Sequence, residues 1–315
     1  MLKNKLKKRI FLIISSLLII LIIYLFPTKK IETINNEKKS YKDAYIYLID
    51  YNNYVARVNI VLKENDRINK IKEIINYLTI DGNKSNYIKE GFKQIIPKDT
   101  KLLSVDIDNN IVKLNFSKEL LNIENDKIDT LISSLIYSIT SLDSNYKLSI
   151  YIEGNILTKL PNNEVIDSIL DRSYGINKTF NIDSINGITK TTIYYLSKYN
   201  DYYYYVPITL MSNNKDDKIK IIIEQMASKS VYNTNLISYI KDIQKINYEI
   251  KNDYIVLNLN NNVFSSKDLI EETIYTLNLS IQDNYDVSKV IYYLDDNLIK
   301  EINLKNTQLG VSNIL

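Results

Sequence analysis

There is no cysteine, no histidine and no tryptophan in the 315 residues of this chain. The first two absences exclude cysteine and histidine nucleophiles, a Ser-His-Asp triad, zinc sites of the usual ligand set and lipid attachment through an N-terminal cysteine. They carry no redox information, since a chain without thiols suits any compartment. With 6 glycines and 4 prolines, long flexible low-complexity linkers are not expected. Net charge is also scarce. The formal value is +3, but Lys3, Lys5, Lys7, Lys8, Arg9, Lys29 and Lys30 put +7 into the first thirty residues without an acid, which leaves −4 for the rest. A slightly acidic body argues against nucleic acid as a partner.

What is abundant is Asn, Lys, Ile and Tyr, a bias that an AT-rich genome explains. The hydrophobic fraction of 45% is that of globular material, and 315 residues suffice for two domains and an anchor. Residues 10–26 are apolar except for Ser15, Ser16 and Tyr24. Seventeen residues rising about 1.5 Å each approach the ~30 Å hydrocarbon thickness. The basic cluster before them sets the N-terminus in the cytoplasm and the body outside. A cleaved signal peptide competes with this reading, but the apolar run is long for one and no small-residue cleavage site follows. Residues 1–30 therefore read as a basic stub and transmembrane anchor, 31–43 as a stalk, 44–160 as a first domain, 161–190 as a structured connection, 191–304 as a second domain and 305–315 as a tail.

The segment 97–121 organises the first domain. Leu102, Leu103, Val105 and Ile107 make one strand, Asp108, Asn109 and Asn110 a turn, and Ile111, Val112, Leu114 and Phe116 a second strand. Ser117 offers a helix N-cap. Leu131, Leu135 and Ile139, flanked by Ile128, Ile132 and Ile136, form a helix face, and 148–152 a closing strand. Upstream, strands are expected at 45–49 and 54–62, and a helix capped by Asp66 runs through Ile68, Ile71, Ile74, Ile75 and Leu78. The same series returns about 142 residues later: strands at 193–196 and 202–211, a helix stripe of Ile219, Ile222, Ile223 and Met226, a strand at 254–259, a helix face of Ile270, Ile274, Leu277 and Ile281, and a strand from Val290. Pro207 marks its strand as an edge or a bulge. The fold class is α+β, two tandem β-β-α-β-β-α-β domains after an N-terminal transmembrane helix.

Pro97, Thr100, Leu103-Ser104-Val105, the Asn109-Asn110 turn and Val112-Lys113-Leu114-Asn115-Phe116-Ser117 together resemble the GerMN domain of GerM-like sporulation and spore germination proteins. The match covers about residues 44–160. The second copy is degenerate, with Leu257-Asn258-Leu259 kept and Asn260 in place of the serine. The resemblance implies tandem GerMN domains with a fold like the ring-building motifs of envelope complexes, an extracytoplasmic membrane-tethered protein, and no enzymatic activity. Pro97, Thr100, Ser104, Val105, Asn115 and Ser117 are the family-motif residues.

No catalytic residue, metal or cofactor is expected. Asp106, Asp108, Asp295 and Asp296 suit turns and lack calcium-loop spacing; Glu119 and Glu124 suit helix starts rather than a glycosidase pair. The run Tyr202-Tyr203-Tyr204-Tyr205, with Pro207, is the candidate interaction surface, although tyrosine is also a good strand former. The leading function is a non-enzymatic, membrane-anchored assembly protein of the bacterial envelope, acting through an envelope protein complex or self-association. The alternatives are a cell-wall glycan-binding module and a solute-binding protein with its ligand between the domains. For the anchor, the intact mass of membrane-extracted protein is expected to include residues 1–27; a mature chain starting near Thr28 would show cleavage instead.

Overall fold

The computed structural model describes residues 42–228, 234–238, 240–241, 246–263 and 270–304. The apolar segment 10–26, most of the stalk and the tail lie outside them, and among the described residues no helix is long and apolar enough to cross a membrane. The described residues belong to one compact unit. Its first half holds β1 (Lys42–Asp50), β2 (Val55–Leu62), α1 (Arg67–Leu78), a short β3 (Phe92–Lys93), β4 (Leu102–Asp108), β5 (Ile111–Phe116), α2 (Ile128–Thr140), β6 (Lys147–Ile152) and β7 (Asn155–Ile156). The connection carries β8 (Thr179–Asn181). The second half holds β9 (Thr189–Tyr199), β10 (Tyr202–Ser212), α3 (Lys218–Met226), β11 (Ile246–Ile250), β12 (Tyr254–Leu259), α4 (Ile270–Asn284), β13 (Lys289–Leu294) and β14 (Asn297–Asn303).

Local chemistry sets these elements. Asn109 and Asn110 both take left-handed backbone angles, φ +47° and +65°, the geometry of a tight hairpin between β4 and β5. Asp66 caps α1 by accepting from the Asn69 N–H at 2.9 Å. Ser117 departs from its expected role. It makes no cap bond; its hydroxyl accepts from the Lys101 N–H at 3.0 Å and pins the end of the hairpin. Two 3-10 turns follow, Lys118–Leu121 and Asn125–Lys127, and α2 starts only at Ile128.

The internal repeat is real in space. Sheets β4-β5-β6-β7 and β11-β12-β13-β14 share one pattern, antiparallel, parallel, antiparallel. Asn115 Oδ1 accepts from the Gly154 N–H at 2.9 Å, and its counterpart Asn258 accepts from the Asp296 N–H at 3.4 Å, so the same residue closes the same turn twice. The buried faces of Val112, Leu114, Phe116, Leu148 and Ile150, and of Ile255, Leu257, Leu259, Val290 and Tyr292, join a core that runs through both halves.

The two copies also share a sheet. β1 and β2 continue into β10, which lies between β2 and β9. The expectation that Pro207 marks an edge strand is therefore overturned. Its missing N–H faces the junction with β2, where the strands bridge directly only at Arg57 and Tyr205. At the neighbouring pair, Val55 and Pro207, the side chain of Asn177 takes over. Its amide nitrogen donates to the carbonyls of Val55 (2.8 Å) and Pro207 (2.7 Å), and its oxygen accepts from the Val55 N–H (2.8 Å). A proline fits a central strand because a residue from the connection supplies the donor it lacks.

The outer edges of this sheet are closed by helices. Along β1, Tyr47 N–H donates to Ser138 Oγ at 2.9 Å, while the Ser134 and Ser141 hydroxyls donate to the carbonyls of Tyr47 and Tyr45. Along β9, Tyr194 N–H donates to Ser280 Oγ at 2.9 Å, and Asn284 exchanges two bonds with the backbone of Thr192. Hydroxyls and an amide on α2 and α4 thus stand where a further strand would.

Replacing Asn177 with alanine leaves three backbone groups at the junction without partners, at ~1–3 kcal/mol each where water cannot reach them. Urea denaturation is expected to report a loss of about 2–4 kcal/mol. Asn177→Asp, which can accept but not donate, should do no better than alanine; rescue by aspartate would refute the donor role.

Candidate functional site

A cleft of about 1010 Å³ opens where the halves meet. Its floor is the shared sheet, with Tyr45, Tyr47 and Arg57 from the first half and Tyr194 from the second. Its walls are the segments that follow α2 (Thr140 to Lys147) and end α4 (Leu279, Gln282 to Val287), and Asp171, Arg172 and Ser173 of the connection enter between them. The walls are equivalent parts of the two copies.

Arg172 ties this place together. Its guanidinium pairs with Asp283, donates through Nε to Thr140 Oγ1 at 2.8 Å, and lies 4.8 Å above the Tyr137 ring. A cation there also faces the carbonyl end of α2 and α4, where the helix dipole favours it. Tyr194 donates to Asp283 at 2.9 Å, and its hydroxyl lies 3.1 Å from that of Tyr47. Tyr47 and Tyr194 are equivalent residues of the repeat, so the halves meet around an approximate two-fold axis.

Arg57 is held differently. Its guanidinium carbon lies 3.4 Å from the centre of the Tyr45 ring, and Nη1 donates to the Tyr275 hydroxyl at 2.7 Å. Burial pulls its pKa down, but the phenols of Tyr275, Tyr47, Tyr45 and Tyr194 push it up further, so the group stays charged. Among the described residues no carboxylate lies within ion-pair distance of it.

The tyrosine run proves to be part of the union of the halves. Tyr204 is buried and donates to the buried Asp50 carboxylate at 2.7 Å; Tyr202 donates to the Glu90 carbonyl; Tyr205 stacks on Tyr275 at 4.6 Å. Asp50 also accepts from the N–H groups of Asn52 and Tyr54, and burial raises its pKa despite these bonds. Gly91 packs against the Tyr199 ring, where a Cβ would come within 2.8 Å at φ +91°. Tyr205 meets the first half through its backbone bridge to Arg57, whereas Tyr203 is half-buried beneath Lys198 of its own half. Pro207 is buried.

The family-motif residues gather around the β4–β5 hairpin, away from the cleft. Pro97 is buried and its carbonyl accepts from the Thr100 N–H at 3.3 Å. Thr100 lines a smaller cavity of about 480 Å³, with its hydroxyl buried and unbonded. Ser104 is exposed opposite Asn115, and Val105 is half-buried. Asn115 and Ser117 are the pins described above. Glu119 lies on the surface, its carboxyl held below the ordinary range by a hydrogen bond from Ser117. Among the described residues no cluster suited to a metal ion occurs.

Sequence reasoning passed over Arg57 and Arg172. A signal existed: only Arg9, Arg57, Arg67 and Arg172 are arginine among 40 basic residues, and two of those four face the cleft. Arginine stands where a planar, always-charged fork is needed and lysine does not serve.

The buried phenols predict alkaline lability. Tyr137, Tyr194, Tyr204 and Tyr292 have pKa values raised above the ordinary 10.0, burial being the first cause for each. A raised folded-state value means that the native protein holds protons the unfolded chain releases. Stability is then full below pH ~10 and falls above it, by about 1.4 kcal/mol per pH unit for each such phenol. Tyrosinate absorbance and circular dichroism should change together in one steep transition above pH ~10; full ionisation of all tyrosines with unchanged dichroism would refute this.

Three comparisons bear on the fold and site. The family model described as Germane, sporulation and spore germination, matches residues 45–158. Spore germination protein GerM of Bacillus subtilis (strain 168) is 28% identical over 256 residues, 78% of this chain and 69% of that protein. The solved structure of the tandem GerMN domains of the sporulation protein GerM from Bacillus subtilis superposes with a TM-score of 0.70 at 25% identity, covering 82% of this chain and 92% of that one.

Proposed function

We propose that this chain, a GerM-like sporulation and germination protein with tandem GerMN domains, is a non-enzymatic assembly protein, held at the cell membrane by residues 10–26 with its body outside. The observation that carries the reading is where its strand edges are spent. The shared sheet has its edges covered by α2 and α4, and its centre closed by Asn177. The two flanking sheets keep edges of their own, the longest being β4 and β14, seven residues each against two for β7 and five for β11, with Leu103 51%, Leu298 59% and Ile299 40% exposed. Uncovered edge strands bearing apolar side chains are templates for pairing with another chain.

The two edges belong to different copies and carry different side chains. Contact from β4 of one molecule to β14 of the next is head-to-tail, and such contact makes rings when the rotation closes. A shared membrane raises local concentration, so weak contacts suffice. The partner is either this chain or another envelope protein.

Crosslinking in native membranes is the test. The ectodomain is expected to be trapped with itself or with an envelope protein, and the pair Leu298→Glu, Ile299→Glu should cut that product about tenfold, the loss of ~1.4 kcal/mol of contact energy, with the melting transition unchanged. A chain that stays monomeric in its membrane while the purified protein hydrolyses wall glycan would overturn the reading.

A further inference from the structure

The charge on Arg57 is unanswered. Its side chain belongs to a residue that is 9% exposed, on the floor of the cleft between the halves. One N–H goes to the Tyr275 hydroxyl and one face of the guanidinium is covered by the Tyr45 ring. Its other N–H groups make no hydrogen bond among the described residues, and none of its nitrogens is sealed from solvent without a partner. They therefore look into the cleft. The contrast with Arg172 is direct. That arginine, in the same cleft, has its carboxylate in Asp283. A buried cation left without a counter-ion costs stability that a pairing or an apolar replacement would recover, and charged groups set in large, partly aromatic clefts mark ligand sites.

We propose that the cleft binds a small monocarboxylate, with Arg57 taking the carboxylate and the uncharged body of the ligand lying against the walls. The planar fork of a guanidinium matches a carboxylate through two parallel hydrogen bonds. The Tyr45 ring fixes the plane of that fork, so the carboxylate approaches at the edge left open. The other charges of the cleft limit the ligand to one negative charge. Lys147 and Arg172 are outnumbered there by Asp143, Asp171, Asp283 and Asp286, and the carbonyl ends of α2 and α4 add to the negative side. A phosphate dianion or a dicarboxylate meets repulsion beyond the reach of Arg57. The half-buried side chains of Leu142 and Tyr285 on the two walls offer apolar surface for the body. Because the floor and both walls come from different halves, an occupant touches both copies at once. This site is independent of the strand edges assigned to assembly.

The test is calorimetric titration of the full chain in detergent with acetate, phenylacetate and glucuronate, and with phosphate, succinate and chloride as comparisons. Saturable binding of at least one monocarboxylate, with tenfold or greater preference over phosphate and succinate, is expected. Arg57→Gln should abolish it, and Arg57→Lys, which keeps the charge and loses the fork, should weaken it tenfold or more. If Arg57→Gln fails to fold, the lysine variant and the wild-type selectivity still decide. No saturable binding of any monocarboxylate, equal binding of chloride, preference for phosphate, or undiminished binding by Arg57→Lys each overturns the proposal.

Discussion

The union of the two copies depends on a side-chain amide standing in for a backbone donor. β2 and β10 run antiparallel, yet one carries a proline at the pair next to their direct bridge. Left alone, that pair would bury two carbonyls and an N–H without partners. Asn177 answers all three, in a left-handed backbone position that asparagine tolerates better than most residues. The connection is thus a working part of the sheet, and Arg172, five residues earlier, is a working part of the cleft. Both act only if the chain between the halves has one fixed path, and buried Leu170 and Ile176 in the core hold it there.

Hydroxyl-rich helices complete the design. A helix packed on a sheet normally offers apolar side chains. α2 and α4 offer these as well, but turn Ser134, Ser138, Ser280 and Asn284 toward the free backbone of β1 and β9. The bonds satisfy groups that would otherwise sit exposed, and they fix the height of each helix relative to the strand it covers. The cleft walls are the ends of these same helices, so its shape follows from the way the edges are closed.

Much of this was written in local pattern. The β4–β5 hairpin, its Asn-Asn turn, the Asp66 cap and the helix stripes follow from period, turn chemistry and capping, which are short-range effects; the exception is Ile68, 38% exposed in the first turn of α1, while the side chain of Ile270 lies outside those described. β9 is longer than its apolar pattern because Thr191, Thr192 and Ser197, polar by residue type, are each buried, Ser197 bonded to the Tyr204 hydroxyl and Thr192 to Thr209. The pairing of β2 with β10 left no local trace, since the partners stand about 150 residues apart and strand pairing obeys no period in sequence. The burial of Arg57 leaves no local trace either, since the Tyr275 hydroxyl that receives its hydrogen bond stands 218 residues away. Proline misleads for the same reason: Pro207 signals an edge only when its own strand must supply the missing bond.

The approximate two-fold axis has an evolutionary consequence. Tyr47 touches Tyr194, its own counterpart, and the backbone around Ala56 faces that around Val206. Each copy thus meets the other through the same patch, as identical subunits do across an isologous interface. A single ancestral copy carrying such a patch is a homodimer in waiting, with the β2 strand of one subunit beside that of the next. Duplication and fusion then convert a concentration-dependent pairing into a permanent one. The freed sequence can diverge on one side of the axis only, which is what the arginine at position 57 and the proline at position 207 have done.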